Sequence, residues 1–119
     1  MQAPTRFNDI AREYYNFIIN ELKKIDRLQE TDKFIVEGLA FNLGLIEDAQ
    51  VQIMERGSVV NGIHGPKINP AVEIMNKATS KVNEAYKILA LDSSMRLKIE
   101  SKEDGQQSDF LTGLFDGKY

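Results

Sequence analysis

An all-α fold follows from three observations on this 119-residue chain. Apolar residues recur every three or four positions almost throughout. Helix starts and stops punctuate that pattern at matching intervals. One long segment alternates threes and fours strictly enough to resemble a coiled-coil seam. The architecture expected is a long antiparallel helix hairpin with an additional N-terminal helix and a short C-terminal helix. Residues 1–102 form a single helical core and oligomerisation domain, and residues 103–119 form an acidic tail.

The first helix is read from Phe7, Ile10, Tyr14, Phe17, Ile18, Leu22, Ile25 and Leu28, with Arg12, Asn16, Asn20, Lys23 and Lys24 on the opposite side. The second opens at Thr31, a plausible N-cap, with Asp32 suited to the positive end of the helix dipole. Its apolar face is Ile35, Leu39, Leu43, Ile46, Ala49 and Ile53, and Gly57 stops it after Arg56. The third opens on Asn69 as cap and Pro70 at the first helical position, where a missing N–H costs nothing. Val72, Met75, Thr79, Val82, Tyr86 and Leu89 are its expected seam. After Leu91, Asp92 or Ser93 caps a short fourth helix.

Between the second and third helices lies SVVNGIHGPKI, where Asn61-Gly62, flanked by Val59, Val60 and Ile63, is a strong hairpin signal. The same stretch holds the only histidine, His64. A phosphate-binding loop would need a buried strand before it and a Lys-Ser or Lys-Thr pair, and a metal site would need further ligands at suitable spacing. Neither accompanies His64, so the stretch is read as a joint.

Composition narrows the function. With no cysteine there is no disulfide framework and no thiolate metal site. The N-terminus lacks a signal-peptide core and no apolar run approaches the ~20 residues needed to cross a bilayer, so a cytosolic, non-membrane protein is expected. The acidic pairs Glu47-Asp48 and Glu103-Asp104 read as solvated faces, because acid-base chemistry needs carboxylates in a pocket. Tyr14, Tyr15 and the phenylalanines read as core. No catalytic set is assembled, no cofactor is expected, and an enzyme is not.

Net charge is −3, against bulk coating of nucleic acid, but the charge is segmental: residues 67–102 carry seven basic and four acidic groups. Phosphate contacts are therefore expected at Arg96, Lys98 and Lys102, with Lys77 and Lys81 supporting them. Arg6, Arg12, Lys23, Lys24 and Arg27 are the fallback surface. In the tail, Phe110, Leu111, Leu114 and Phe115 gather on one side of a helical turn or two. They sit on an acidic tether, as expected of a docking segment that folds on a partner. Two helices of this length cannot bury all their apolar surface in one small protomer, which predicts a closed homo-oligomer.

The order of features resembles the small subunit of the terminase of tailed bacteriophages, in the family without an obvious N-terminal helix-turn-helix domain. The matching positions are Asp32 opening the second helix, Gly57 closing it, the glycine-rich turn, and Asn69-Pro70-Ala71 opening the third. The Leu89 and Leu91 turn and the MRLKI segment from Met95 complete them, over about residues 6–100. Ala90 stands where the family usually has glycine, and Asp92-Ser93 where it usually has threonine-proline. The resemblance implies a non-enzymatic DNA-packaging factor that assembles into a ring and recognises viral double-stranded DNA. It would hand that DNA to the large terminase subunit, which carries the ATPase and nuclease, in the host cytoplasm. The alternative is a helical adaptor or structural oligomer that binds only proteins.

Overall fold

The computed structural model describes residues 1–102; the tail cluster Phe110, Leu111, Leu114 and Phe115 lies outside them. In order, the elements are α1 (Asp9–Lys24), a 3-10 turn (Glu30–Asp32), α2 (Lys33–Arg56), β1 (Val59–Gly62), β2 (Gly65–Ile68), α3 (Pro70–Ile88) and α4 (Ser93–Ser101). Among the described residues the fold is thus mostly helical, with one two-stranded antiparallel sheet that the all-α expectation did not include.

α1 begins two residues later than expected, because Asn8 caps it: its Oδ1 accepts from the Ala11 N–H at 2.9 Å. It ends at Lys24 rather than near Leu28. Asp26 turns left-handed, at φ 55°, and the Arg27 N–H reaches back to the Leu22 carbonyl at 2.9 Å. Ile25 is consequently exposed and Leu28 packs on the core from outside the helix. Arg27 then does something periodicity cannot show. Its guanidinium donates to the Leu89 carbonyl at 3.0 Å and the Ala90 carbonyl at 3.2 Å, placing a cation at the negative end of α3.

Thr31 is not the cap of α2. It lies inside the 3-10 turn, where the Asp32 N–H donates to the Gln29 carbonyl at 3.0 Å and the Asp32 carboxylate accepts from the Gln29 N–H at 3.3 Å. The buried stripe of α2 is Val36, Leu39, Ala40, Leu43 and Ala49, rotated from the one expected, so that Ile35, Ile46 and Ile53 are only half-buried. Gly57 closes the helix at φ 88°, a left-handed value that suits glycine.

The hairpin signal is real but displaced. Asn61 and Gly62 are the last two residues of β1, paired with Pro66 and Gly65, and the two-residue loop is Ile63-His64. Gly62 is required by closeness: a Cβ there would lie 3.0 Å from the Gly65 carbonyl and from the Lys67 side chain. Gly65, at φ 114°, supplies the unusual dihedral. Asn69 then ties the sheet to both helices. Its N–H donates to the Ser58 carbonyl at 2.8 Å, its Nδ2 to the Gly57 carbonyl at 2.9 Å, and its Oδ1 accepts from the Ala71 N–H at 3.0 Å.

α3 therefore starts beside the end of α2, and its last turns, at Ala85 and Ile88, lie beside Phe34, Ile35 and Leu39 at the start of α2. Its buried face is Ala71, Ala78, Val82, Ala85 and Tyr86, continued by Leu89. Of the expected seam, Val72 and Met75 are half-buried and Thr79 is exposed, its hydroxyl donating to the Met75 carbonyl at 2.8 Å. Alanines do the packing that branched residues were expected to do.

The main core unites Phe7, α1, the first half of α2, the end of α3 and α4. Beyond Leu43 only alanines, Ala49, Ala71 and Ala78, are buried apolar residues of the α2–α3 pair, so its sheet-bearing end is an arm with little core of its own.

At the end of α3, Ala90 adopts φ 54° while the Leu91 N–H donates to the Tyr86 carbonyl at 3.0 Å, the arrangement in which glycine normally ends a helix. A left-handed alanine costs about 1 kcal/mol or more, partly offset by the extra entropy glycine loses on folding. Ala90→Gly should stabilise the protein by up to about 1 kcal/mol. A thermal unfolding midpoint that falls instead would show that the turn does not need this conformation.

Candidate nucleic-acid interface

Five basic residues are the candidate phosphate contacts, and the structure divides them into two groups. Arg96, Lys98 and Lys102 lie on or just after α4, which starts where the Asp92 Oδ1 accepts from the Met95 N–H at 2.9 Å. α4 is laid against α1 by Met95 and Ile99, and that docking turns its cations inward onto protein groups. Arg96 stacks its guanidinium 5.1 Å from the centroid of the Tyr86 ring and donates from Nε to the Leu91 carbonyl at 2.9 Å. Lys98 lies 3.8 Å from the Glu21 carboxylate, which also accepts from Lys24 at 3.1 Å. Lys102 reaches Glu47 at 3.1 Å and Glu13 at 3.3 Å, and its ammonium sits 4.4 Å from the Tyr14 ring centroid.

These contacts explain a carboxylate that sequence reasoning passed over. Glu21 falls on the buried side of α1, with its side chain 4 % exposed, and two lysines from different helices balance it. A charge placed among Ile18, Ile19 and Leu22 is the signal that would have found it, since a buried carboxylate is kept only when paired. Glu47, read from the sequence as part of a solvated acidic pair, is half-buried and holds Lys102. Around this cluster Tyr14 is held well above the usual phenol range, first by burial and then by the neighbouring Glu47 charge. Tyr86 is raised likewise by burial and by Glu100, with Arg96 opposing. Both phenols stay neutral through the physiological range, and Arg96 and Lys102 stack on uncharged rings.

Lys77 and Lys81 are differently placed. They project from the exposed side of α3, one turn apart. Lys77 lies 3.1 Å from Glu73 and Lys81 4.0 Å from Glu84, every one of these side chains at least two-thirds exposed. Exposed pairs of this spacing contribute only about 0.3–0.5 kcal/mol. A phosphate can therefore take either lysine from its partner at little cost, whereas Lys102 would have to leave two carboxylates and an aromatic face. Of the fallback residues, Arg12 is held by the Phe7 carbonyl at 3.1 Å, Arg27 by the end of α3, and Arg6 lies 3.5 Å from Glu37.

His64 sits exposed in the hairpin loop, and among the described residues no group of histidine, cysteine or carboxylate side chains is arranged to hold a metal ion. Among the same residues no helix is long and apolar enough to cross a membrane.

No characterised protein and no solved structure matches the chain. The family model of the phage terminase small subunit does, over residues 11–106, from the first turn of α1 past the end of α4. That match spans all four helices and the hairpin between them, and the chain belongs to the phage terminase small subunit family.

Proposed function

We propose that this protein is the non-catalytic DNA-recognition subunit of a phage packaging machine. It binds viral double-stranded DNA as a closed, ring-like homo-oligomer in the host cytoplasm and delivers that DNA to the large terminase subunit, the ATPase and nuclease. The observation that carries this reading is the family match across residues 11–106, which supports a role in phage DNA packaging. In a ring, the positive stretch 67–102 repeated about an axis sums to a focused field although each protomer is net negative.

Within the stretch, Lys77 and Lys81 lead as phosphate contacts, because their present partners hold them weakly. Lys98, about a third exposed and 3.8 Å from its carboxylate, adds to them. Arg96 and Lys102, engaged with protein groups, act chiefly by orienting α4. Replacing Lys77 and Lys81 together with alanine should weaken duplex binding and lower its salt slope by about 1.8 for each protomer that contacts DNA, near 0.9 for each phosphate no longer neutralised, with oligomer mass unchanged. Binding and slope that match the wild type would move the contact surface off α3. A wild-type protein with no salt-dependent binding to duplex DNA would favour the adaptor that touches only proteins.

The tail cluster Phe110, Leu111, Leu114 and Phe115 docks on the large subunit in this reading. Deleting residues 104–119 should abolish association with that subunit while leaving helix content and oligomer mass intact. Loss of the oligomer would instead make the tail part of the scaffold.

A further inference from the structure

The β-hairpin carries at its tip a side chain that the turn itself does not need. Ile63 is 99 % exposed, in a two-residue loop whose backbone demands are already met by glycines, Gly62 through the close approach of the strands and Gly65 at φ 114°. Leaving an isoleucine wholly in water gives up the stabilisation that its burial would provide. Val59 and Ile68, paired across the strands and also exposed, sit at the base of the ribbon, about 13 Å from Ile63 by the rise of four strand residues. The apolar tip therefore stands alone and is not the edge of a broad patch.

The charge around the tip has one sign. Between Gly57 and Val72 the sequence holds no acidic residue, while Lys67 and His64 lie within that stretch and Arg56 adjoins it. The nearest carboxylates along the chain, Glu55 and Glu73, are on α2 and α3 at the base of the ribbon. Arg56 and Lys67 are exposed and take part in none of the ion pairs of the described residues. Lys67 is also aimed. It pairs with Val60, yet a Cβ added at Gly62, two residues nearer the tip, would lie 3.3 Å from its Cγ and 3.0 Å from its Cδ. The stem thus runs along the ribbon over Gly62 and carries the ammonium towards the Ile63-His64 loop.

We infer that the hairpin is a second DNA contact, its tip entering the minor groove so that Ile63 wedges between base pairs while Lys67 and His64 meet the flanking phosphates. The minor groove, about 6 Å wide, admits a two-residue tip, and partly unstacked bases offer the apolar surface that an isolated isoleucine lacks on its own chain. Phosphates on both walls suit a tip with cations and no carboxylate, and an imidazole keeps an N–H donor in either protonation state. A stable protein contact would instead need about 800 Å² of continuous surface on each partner, which a lone tip does not supply. Such a wedge reads the ease of unstacking and not the base edges, and pyrimidine–purine steps such as TA yield most readily. This inference rests on the DNA-recognition reading above and adds to it a site and a mode of contact apart from Lys77 and Lys81.

The test binds full-length wild type, Ile63→Ala and Lys67→Met to a duplex carrying 2-aminopurine, a base that brightens when unstacked, at its TA steps. Both substitutions alter exposed side chains, so circular dichroism and the unfolding midpoint should stay near wild type. The wild type should raise the fluorescence. Ile63→Ala should still bind with the wild-type salt slope but leave the fluorescence at the level of the free duplex. Lys67→Met, which keeps the stem over Gly62 and removes the charge, should lower the salt slope by about 0.9 for each protomer that contacts DNA. Light scattering should give all three proteins one mass. A fluorescence rise that survives in Ile63→Ala, or a wild-type slope in Lys67→Met, overturns the contact. A changed mass in either variant overturns it too and makes the hairpin a contact between copies. Salt-dependent binding by the wild type without any fluorescence rise defeats the wedge and leaves the DNA-recognition reading standing, whereas no salt-dependent binding defeats both.

Discussion

Ile99→Ala is expected to destabilise the protein by about 3 kcal/mol, within the range of about 2–5 for truncating a buried isoleucine, and to free α4 from the rest of the fold. Ile99 is fully buried, and with Met95 it is all the apolar surface that nine-residue α4 commits to the core. A helix that short does not persist alone in water. What remains after the substitution is Met95, the Arg96 contacts with Tyr86 and Leu91, and the ion pairs from Lys98 and Lys102 to Glu21, Glu13 and Glu47. Partly exposed pairs contribute roughly 0–1 kcal/mol each, so they orient α4 more than they hold it. Lys98→Ala should accordingly cost less than about 1 kcal/mol. Urea unfolding monitored by circular dichroism compares the two. An Ile99→Ala midpoint shifted no further than that of Lys98→Ala would mean that α4 is not packed as described.

At Gly44 the size of the replacement should decide the sign of the effect. A Cβ built there would lie 3.5 Å from the Cα, Cβ and N of Ala11, which is ordinary van der Waals contact. Gly44→Ala fills that space without overlap and gains helix propensity of up to about 1 kcal/mol, so it should be neutral or stabilising. Gly44→Leu must place its further carbons into the backbone of α1, which has no flexible end to yield, and should cost about 3 kcal/mol. Thermal unfolding of the pair is the measurement. Equal midpoints for the alanine and leucine variants would show that α1 and α2 are not in contact at this point.

Most of the helices were legible because a helix is specified locally. The spacing of Tyr14, Ile18 and Leu22, the Asn69-Pro70 start, the Asp92 cap and the Gly57 stop each act within one or two turns, and each occurs where the residues themselves require it. Where a boundary was misread, a neighbouring residue competed for the same role. Asn8 captured the start of α1, and Asp32 with Gln29 made the turn in which Thr31 lies. The hairpin was visible as Asn-Gly, but the loop fell two residues later because Gly65 accepts the positive φ and Gly62 the close strand approach.

Which of the basic residues remain free was not legible, and the reason is distance. Glu47 and Lys102 are 55 residues apart and Arg27 and Ala90 are 63 apart, so no local pattern links them. The sequence by itself determined the number of helices, their order, the apolar surplus of the long pair and a positive stretch between residues 67 and 102. Only the tertiary structure decided that packing α4 onto α1 turns Arg96 and Lys102 onto protein groups while Lys77 and Lys81 stay on an open face. A side chain's charge is set by its own chemistry, but its availability is set by what the folded chain brings within about 4 Å of it, where a charge interaction competes with solvent.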